Sequence, residues 1–429
     1  AGVVGMESFE LVNATVLNLV LLPIIIFNGG WSIHLPHFSS QFSYCLIFAV
    51  GGTIVTMMVI GYSEWLLANH LGWPVMRSLR ANMAFAAAIS ATDPVATLAT
   101  FGELQIAYRQ PLLNTLVLGE SLINDAVAIV FFSALNTLDK LSWNGLEAGI
   151  MERMLILLFG SALLGILMSM LLIVLMRWAG LPGNTIIEIL YMFMAPFLIF
   201  SFADAVELSG IIAVLFAGIM FKTYGSKHLN SEGRHLANEF FEITSKLADT
   251  GVFVLCGTSV ALVNLTPEVL HFAISAVLFC FIGRFAATVA CTLATNTLKL
   301  MRDETPYFVD CKNMFMIWLS GLRGGISLVL ALELDPLWCS QRDKVVIINA
   351  TFIVICSLLL LCGGTTELFL VLLGMVPAEG SEEFTRGTSI RGLDLPADRL
   401  PQRIGHWVHG WLEYFLVGER VERKRLMTA

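Results

Sequence analysis

Leu118-Gly119-Glu120-Ser121-Leu122-Ile123-Asn124-Asp125-Ala126 lies in the middle of an apolar window, residues 112–135, long enough to cross a bilayer as a helix. Two carboxylates, a hydroxyl and an amide there are the feature that decides the fold. On a helix Glu120 stacks with Asn124 and Ser121 with Asp125, giving two adjacent polar stripes on an otherwise apolar rod. An ionisable side chain inside a membrane span costs at least a few kcal/mol, so each one is a candidate functional residue.

The rest of the chain supports a membrane setting. Of its 429 residues 57% are hydrophobic and only 14% charged, and the mean hydropathy is +0.78. The bilayer is the expected solvent for such a composition. About eleven apolar windows can be marked, centred on 11–27, 42–62, 81–101, 112–135, 152–176, 186–203, 208–221, 243–263, 269–291, 310–332 and 344–371. The net charge of −8 is spread over short connections and the tail and offers no nucleic-acid footprint. Cys45, Cys256, Cys280, Cys291 and Cys356 sit in apolar stretches without CxxC spacing and read as small core residues. No cofactor is expected. No basic region followed by a short apolar core and cleavage site begins the chain, and Ala1 to Met6 read as the end of a membrane segment.

Lys222, Lys227, Arg234 and Lys246 cluster in one connection, whereas Asn264 to Val269 has no base, so the first is expected to be cytoplasmic and the second external or lumenal. The tail beyond about residue 372, with Arg386, Arg391, Arg399 and Arg403, then falls in the cytoplasm; Arg77 and Arg80 fall on the other side. Residues 377–401 read as a linker, and His406 to Lys424 as an amphipathic stretch for the membrane surface. Asn264-Leu265-Thr266 is a glycosylation acceptor on the non-cytoplasmic side. His34, His37, His228 and His235 share no helical spacing that would make a metal site.

Two windows carry their own breaks. In Ser90-Ala91-Thr92-Asp93-Pro94-Val95 the proline removes a backbone donor and pushes Asp93 out of helical geometry. In Ser320-Gly321-Leu322-Arg323-Gly324-Gly325 three glycines and an arginine interrupt the apolar run. A pair of interrupted helices is the sequence mark of an ion site in transporters built from inverted repeats, because free helix ends and unwound carbonyls can face an ion. Asp125, Asn124, Ser121, Thr92 and Asp93 are the candidate ion-binding residues, with Asp125 the ion carrier. Glu120 is expected in a buried ion pair, with Arg284 ahead of Arg323, and Arg323 is expected on the polar ends of the second break.

SATDPVATLATFGEL (90–104), LVLGESLINDAVAIV (116–130) and MIWLSGLRGGISLVLALEL (316–334), with LVLLPIIIFNGG (19–30) before them and LLLLCGGTTELF (358–369) after, resemble the sodium/proton exchangers of the cation/proton antiporter superfamily. FAGIMFKTYGSKHLN (216–230) and the WLSGLRGG form are more similar to the organellar, endosomal and Golgi branch than to the plasma-membrane one. The resemblance implies an all-α inverted-repeat membrane fold of about thirteen helices, two of them absent here, with two crossing broken helices. It implies an ion-binding core mainly in 42–135 and 269–371, a dimerisation bundle mainly in 1–27 and 186–263, a linker helix at 152–176 and the start of a cytoplasmic regulatory tail at 373–429. It implies a homodimer in lipid, with regulatory proteins on the tail, exchanging Na⁺ for H⁺, with K⁺ or Li⁺ as alternative cations. Neutral Asn124 implies electroneutral one-for-one exchange. A cation channel would not need one deep proton-binding acid. An intramembrane protease would need two cooperating aspartates, for which Asp93 and Asp125 lack the Gly-x-Gly-Asp form.

Overall fold

The computed structural model describes residues 17–33, 35–72, 76–93, 95–104, 106–137, 155–179, 185–260, 266–301, 309–335, 337–376 and 416. Pro94, Asn264 and nearly all of the 377–429 tail lie outside the described residues. In chain order the helices are α1 (Leu22–Ser32), α2 (Leu35–Leu46), α3 (Gly52–His70), α4 (Leu79–Ser90), α5 (Val95–Glu103), α6 (Ile106–Arg109), α7 (Pro111–Thr137) and α8 (Ser161–Trp178). They continue with α9 (Thr185–Ala205), α10 (Gly210–Thr223), α11 (Ser231–Val260), α12 (Pro267–Met301), α13 (Cys311–Leu319), α14 (Gly325–Leu332), α15 (Gln341–Leu361) and α16 (Thr366–Leu372). A π-helical turn at Ile47–Gly51 joins α2 to α3. Among the described residues six helical stretches are long and apolar enough to cross a membrane: Gln41–His70, Leu112–Asn136, Ile156–Trp178, Thr185–Ala205, Pro267–Met301 and Gln341–Leu372. The chain is a multi-pass membrane protein.

The windows 81–101 and 310–332 are each cut in two. α4 ends where Ala91 turns to extended backbone (ψ 125°), and α5 resumes at Val95. α13 ends at Ser320, and α14 starts after Gly324, which is also extended.

Contacts divide the chain into two units. One comprises residues 1–40, 151–255 and 396–429; the other comprises 41–150 and 256–395. In the first, α8 turns Ser161, Gly165 and Ser169 inward while Leu163, Leu167, Leu171 and Leu175 stay exposed. That inversion of the soluble pattern is what a bilayer selects: small residues let helices approach, and leucine faces acyl chains. α10 packs on both α8 and α1 by this rule, since a side-chain carbon at Gly165 would overlap the Ala213 backbone and one at Gly218 would lie 2.5 Å from Phe27 O. In the second unit α4 is buried along nearly its whole length, packed by α3, α7 and α14, and α12 packs along α3. Of the candidate ion-site and ion-pair residues, Thr92, Asp93, Glu120, Ser121, Asn124, Asp125, Arg284 and Arg323 all fall in this second unit.

Candidate ion-binding site

The site begins with the loose ends that two broken helices create. A helix that stops inside a membrane leaves carbonyls without N–H partners and concentrates partial negative charge at its C-terminus. At the end of α4, Ser90 O accepts from Arg323 Nη1 at 2.7 Å and Ala91 O from the same nitrogen at 3.3 Å. At the end of α13, Ile317 O accepts from Arg284 Nη2 at 3.0 Å. Each half-helix therefore carries a guanidinium on its negative end. Sequence reasoning put Arg323 on the ends of its own break; in the structure it serves the other one. The reason is the crossing of the two breaks, which meet backbone to backbone where Asp93 N–H donates to Leu322 O at 3.0 Å.

The positive end is matched too. Asp93 lies against Gly324, at the N-terminus of α14, so closely that a side-chain carbon at 324 would overlap its carboxylate and its Cβ. A carboxylate is favoured at that end of a helix. Gly321 makes the same kind of room, because a side chain there would come within 2.6 Å of Arg284 Nε. Gly325 is buried as the first residue of α14.

α7 supplies the remaining groups. Glu120, 1% exposed, is gripped by Arg284 through both Nη1 and Nη2, the second bond at 3.0 Å. Arg323, among the described residues, makes no ion pair with Glu120, and its Nε and Nη2 find no hydrogen-bond partner. Asn124 is tied down on all sides: its Nδ2 donates to Ser90 O at 3.2 Å and to Thr92 Oγ1 at 2.8 Å, and its Oδ1 accepts from Thr53 Oγ1. The amide thus laces α7 and α3 to the unwound segment of the first break. Ser121 is buried one turn before Asp125.

Asp125 differs from its neighbours. It is 8% exposed, against 2% for Asn124 and 3% for Ser121, and among the described residues no hydrogen bond or ion pair engages it. The charges that bear on it are those of Asp93 and Arg323. Oxygen donors available around such a carboxylate suit a hard alkali cation.

Two buried polar residues of this unit, one of them at the site, carried no signal in the sequence. Thr53 gives no signal beyond a hydroxyl in an apolar window, since its partner is 71 residues away. Glu64 stands just beyond the apolar window 42–62, where a carboxylate is expected to reach water; it is fully buried on α3.

The transmembrane sodium/hydrogen exchanger family matches residues 2–372. Sodium/hydrogen exchanger 8 of Homo sapiens is 32% identical over 83% of the chain and 60% of its own length. Sodium/hydrogen exchanger 1 of Dictyostelium discoideum is 30% identical over 73% of the chain and 44% of its own length, so the chain spans about half the length of such relatives. In fold, the sodium proton antiporter MjNhaP1 of Methanocaldococcus jannaschii superposes with a TM-score of 0.65 at 15% identity, over 85% of this chain and 91% of the other. With a family match across nearly the whole membrane part and an antiporter fold around two crossing broken helices, the chain belongs to the transmembrane sodium/hydrogen exchangers.

Proposed function

We propose that the protein exchanges sodium for protons across its membrane, with Asp125 as the single carrier. The observation that supports this is the contrast among the buried charges around the two breaks: Glu120 and Arg284 pair with each other, Arg323 and Asp93 sit on helix ends, and among the described residues no hydrogen bond or ion pair engages Asp125. A cation and a proton then compete for one carboxylate, and each excludes the other. Thr92, through its backbone carbonyl, and Ser121, through its hydroxyl, are the further oxygen ligands of the cation in this reading.

One carboxylate makes the exchange one for one and electroneutral. Asn124 adds no charge, and its amide is occupied in holding the break; Glu120 stays paired with Arg284 throughout. The ion-binding core lies mainly in 42–135 and 269–371 and opens alternately to either side, the dimerisation bundle mainly in 1–27 and 186–263, and 152–176 is the linker helix. The tail is cytoplasmic and open to regulatory partners, and the membrane is that of an organelle or the cell surface. Potassium is the second reading for the cation, since oxygen ligands alone do not fix ion size.

The deciding experiment uses the full chain in vesicles. Asp125→Asn abolishes cation-driven proton flux while the protein stays folded; flux like that of the unaltered protein would sink the carrier assignment. A potential imposed without ion gradients moves no protons in the unaltered protein, and cation-dependent acidification under that potential would refute one-for-one exchange. Parallel Na⁺, K⁺ and Li⁺ gradients rank the cations.

A further inference from the structure

Glu64 has no part in the mechanism above, yet it is a carboxyl buried as deeply as any. It projects from α3 toward α12, with 0% of its surface exposed. Its Oε2 stands 3.0 Å from Ser275 Oγ, and its Oε1 has no hydrogen-bond partner.

The proton inventory of this contact is informative. Ser275 Oγ also lies 2.9 Å from Phe272 O, one turn back on its own helix. A serine hydroxyl has one proton and two acceptor positions. If that proton goes to Phe272 O, the bond to Glu64 needs a proton from the carboxyl. If it goes to an ionised Glu64, a full negative charge is left with a single neutral donor and one bare oxygen in an apolar helix contact. Burial of an unpaired carboxylate is far costlier than burial of the acid.

Among the described residues, no lysine, arginine or histidine pairs with Glu64. On α12 the nearest titratable group is the Cys280 thiol, while Arg284 is committed to Glu120 and His271 is exposed. On α4, Arg80 donates to Leu135 O and Asn136 O. On α15, Asp343 accepts from Met76 N–H and Lys344 donates to Leu334 O.

We propose that Glu64, hydrogen-bonded to Ser275, is a second proton-binding site of this unit, separate from the cation-binding carboxylate and holding its proton whichever ion occupies Asp125. The bond runs from Glu64 O–H to Ser275 Oγ, and Ser275 O–H is then free to serve Phe272 O. Deprotonation would place an uncompensated charge in the α3–α12 contact, so the folded chain binds one proton more than the unfolded chain once the pH exceeds the ordinary glutamate range. Stability from this site is therefore greatest in acid and declines as the pH rises.

Infrared spectra of the full chain in lipid vesicles test this directly. A carboxylic-acid C=O band that shifts in D₂O is expected in the unaltered protein, absent in Glu64→Gln, retained in Asp125→Asn and unmoved by Na⁺. In Ser275→Ala the band moves to the higher frequency of an acid with no acceptor. Thermal unfolding across alkaline pH gives the second readout. Glu64→Gln removes a decline of up to about tenfold in the folding constant per pH unit. A spectrum unchanged by Glu64→Gln, or a Glu64 band that Na⁺ abolishes, overturns the assignment. Loss of Na⁺-induced proton release in Asp125→Asn reports on the carrier reading separately, so the two ideas fail by different measurements.

Discussion

Glycine does opposite jobs in the two units. In the bundle built from α1, α8 and α10, a side chain on Gly30, Gly165 or Gly218 would strike backbone: Leu215 O, the Ala213 peptide and Phe27 O respectively. In the unit that carries the candidate ion site, the glycines at the second break meet charged side chains: Gly321 faces Arg284 and Gly324 faces Asp93. The first set lets helices approach each other, which in lipid is the main source of association. The second set lets charges approach helix ends, where partial charge is concentrated. The same residue type thus marks a scaffold in one region and an electrostatic device in the other.

Substitution at the second break should break function first. Gly324→Ala pushes Asp93 off the α14 terminus and disturbs the Asp93–Leu322 link between the breaks. A displacement of this kind at a working site can lower turnover by about 100-fold. Flux measurements in vesicles check it, and near-normal exchange would mean the breaks tolerate a looser crossing.

The buried ion pair is the next test. Glu120→Gln leaves Arg284 charged in the interior, and removing one partner of such a pair costs about 3–5 kcal/mol. Thermal unfolding should therefore show a larger loss for Glu120→Gln than for Asp125→Asn. An equal or smaller loss would argue that Glu120 is not held by its arginine.

Gly218→Ala in the scaffold is a milder perturbation that sharpens the contrast. Overpacking of this type costs about 1–3 kcal/mol. Unfolding temperature should fall while the apparent affinity for Na⁺ stays that of the unaltered protein. A shifted affinity with unchanged stability would show that the scaffold takes part in ion binding.

The smallest effect concerns the tail. His228, in the connection after α10, lies 2.9 Å from Leu416 O through its Nε2. Burial holds its pKa below the usual histidine value, and Arg177 and Lys227 push the same way, against the opposing effect of the Leu416 bond. A histidine depressed in this manner binds its proton more readily when its buried surroundings open. Those surroundings are therefore most stable above the ordinary histidine value and weaken as the pH falls below it. Hydrogen exchange near Leu416 should rise a few-fold on acidification, and His228→Gln should flatten that response.

How much of this was legible in the sequence follows from the range of each interaction. Charges in apolar windows, a proline and a glycine cluster are local signals, and they located the membrane spans, both breaks and the α7 acids. Local chemistry also separated Asp125 from Glu120 in kind, because a carboxylate in lipid needs either a partner or a purpose. Which partner each charge takes is another matter. Arg323 reaches a carbonyl 233 residues away, Glu120 an arginine 164 away and Glu64 a serine 211 away. Sequence spacing carries no information at that distance. Arg323 has the same local context whichever break it serves, and only the crossing of the two half-helix pairs hands it to the first. Composition and periodicity thus determined that this chain lives in a membrane and carries ionisable groups there, since those follow from solvent and helical repeat. The tertiary structure alone decided which charges neutralise helix ends, which pair with each other, and that no described partner engages Asp125, because hydrogen bonds and ion pairs act over only a few ångströms.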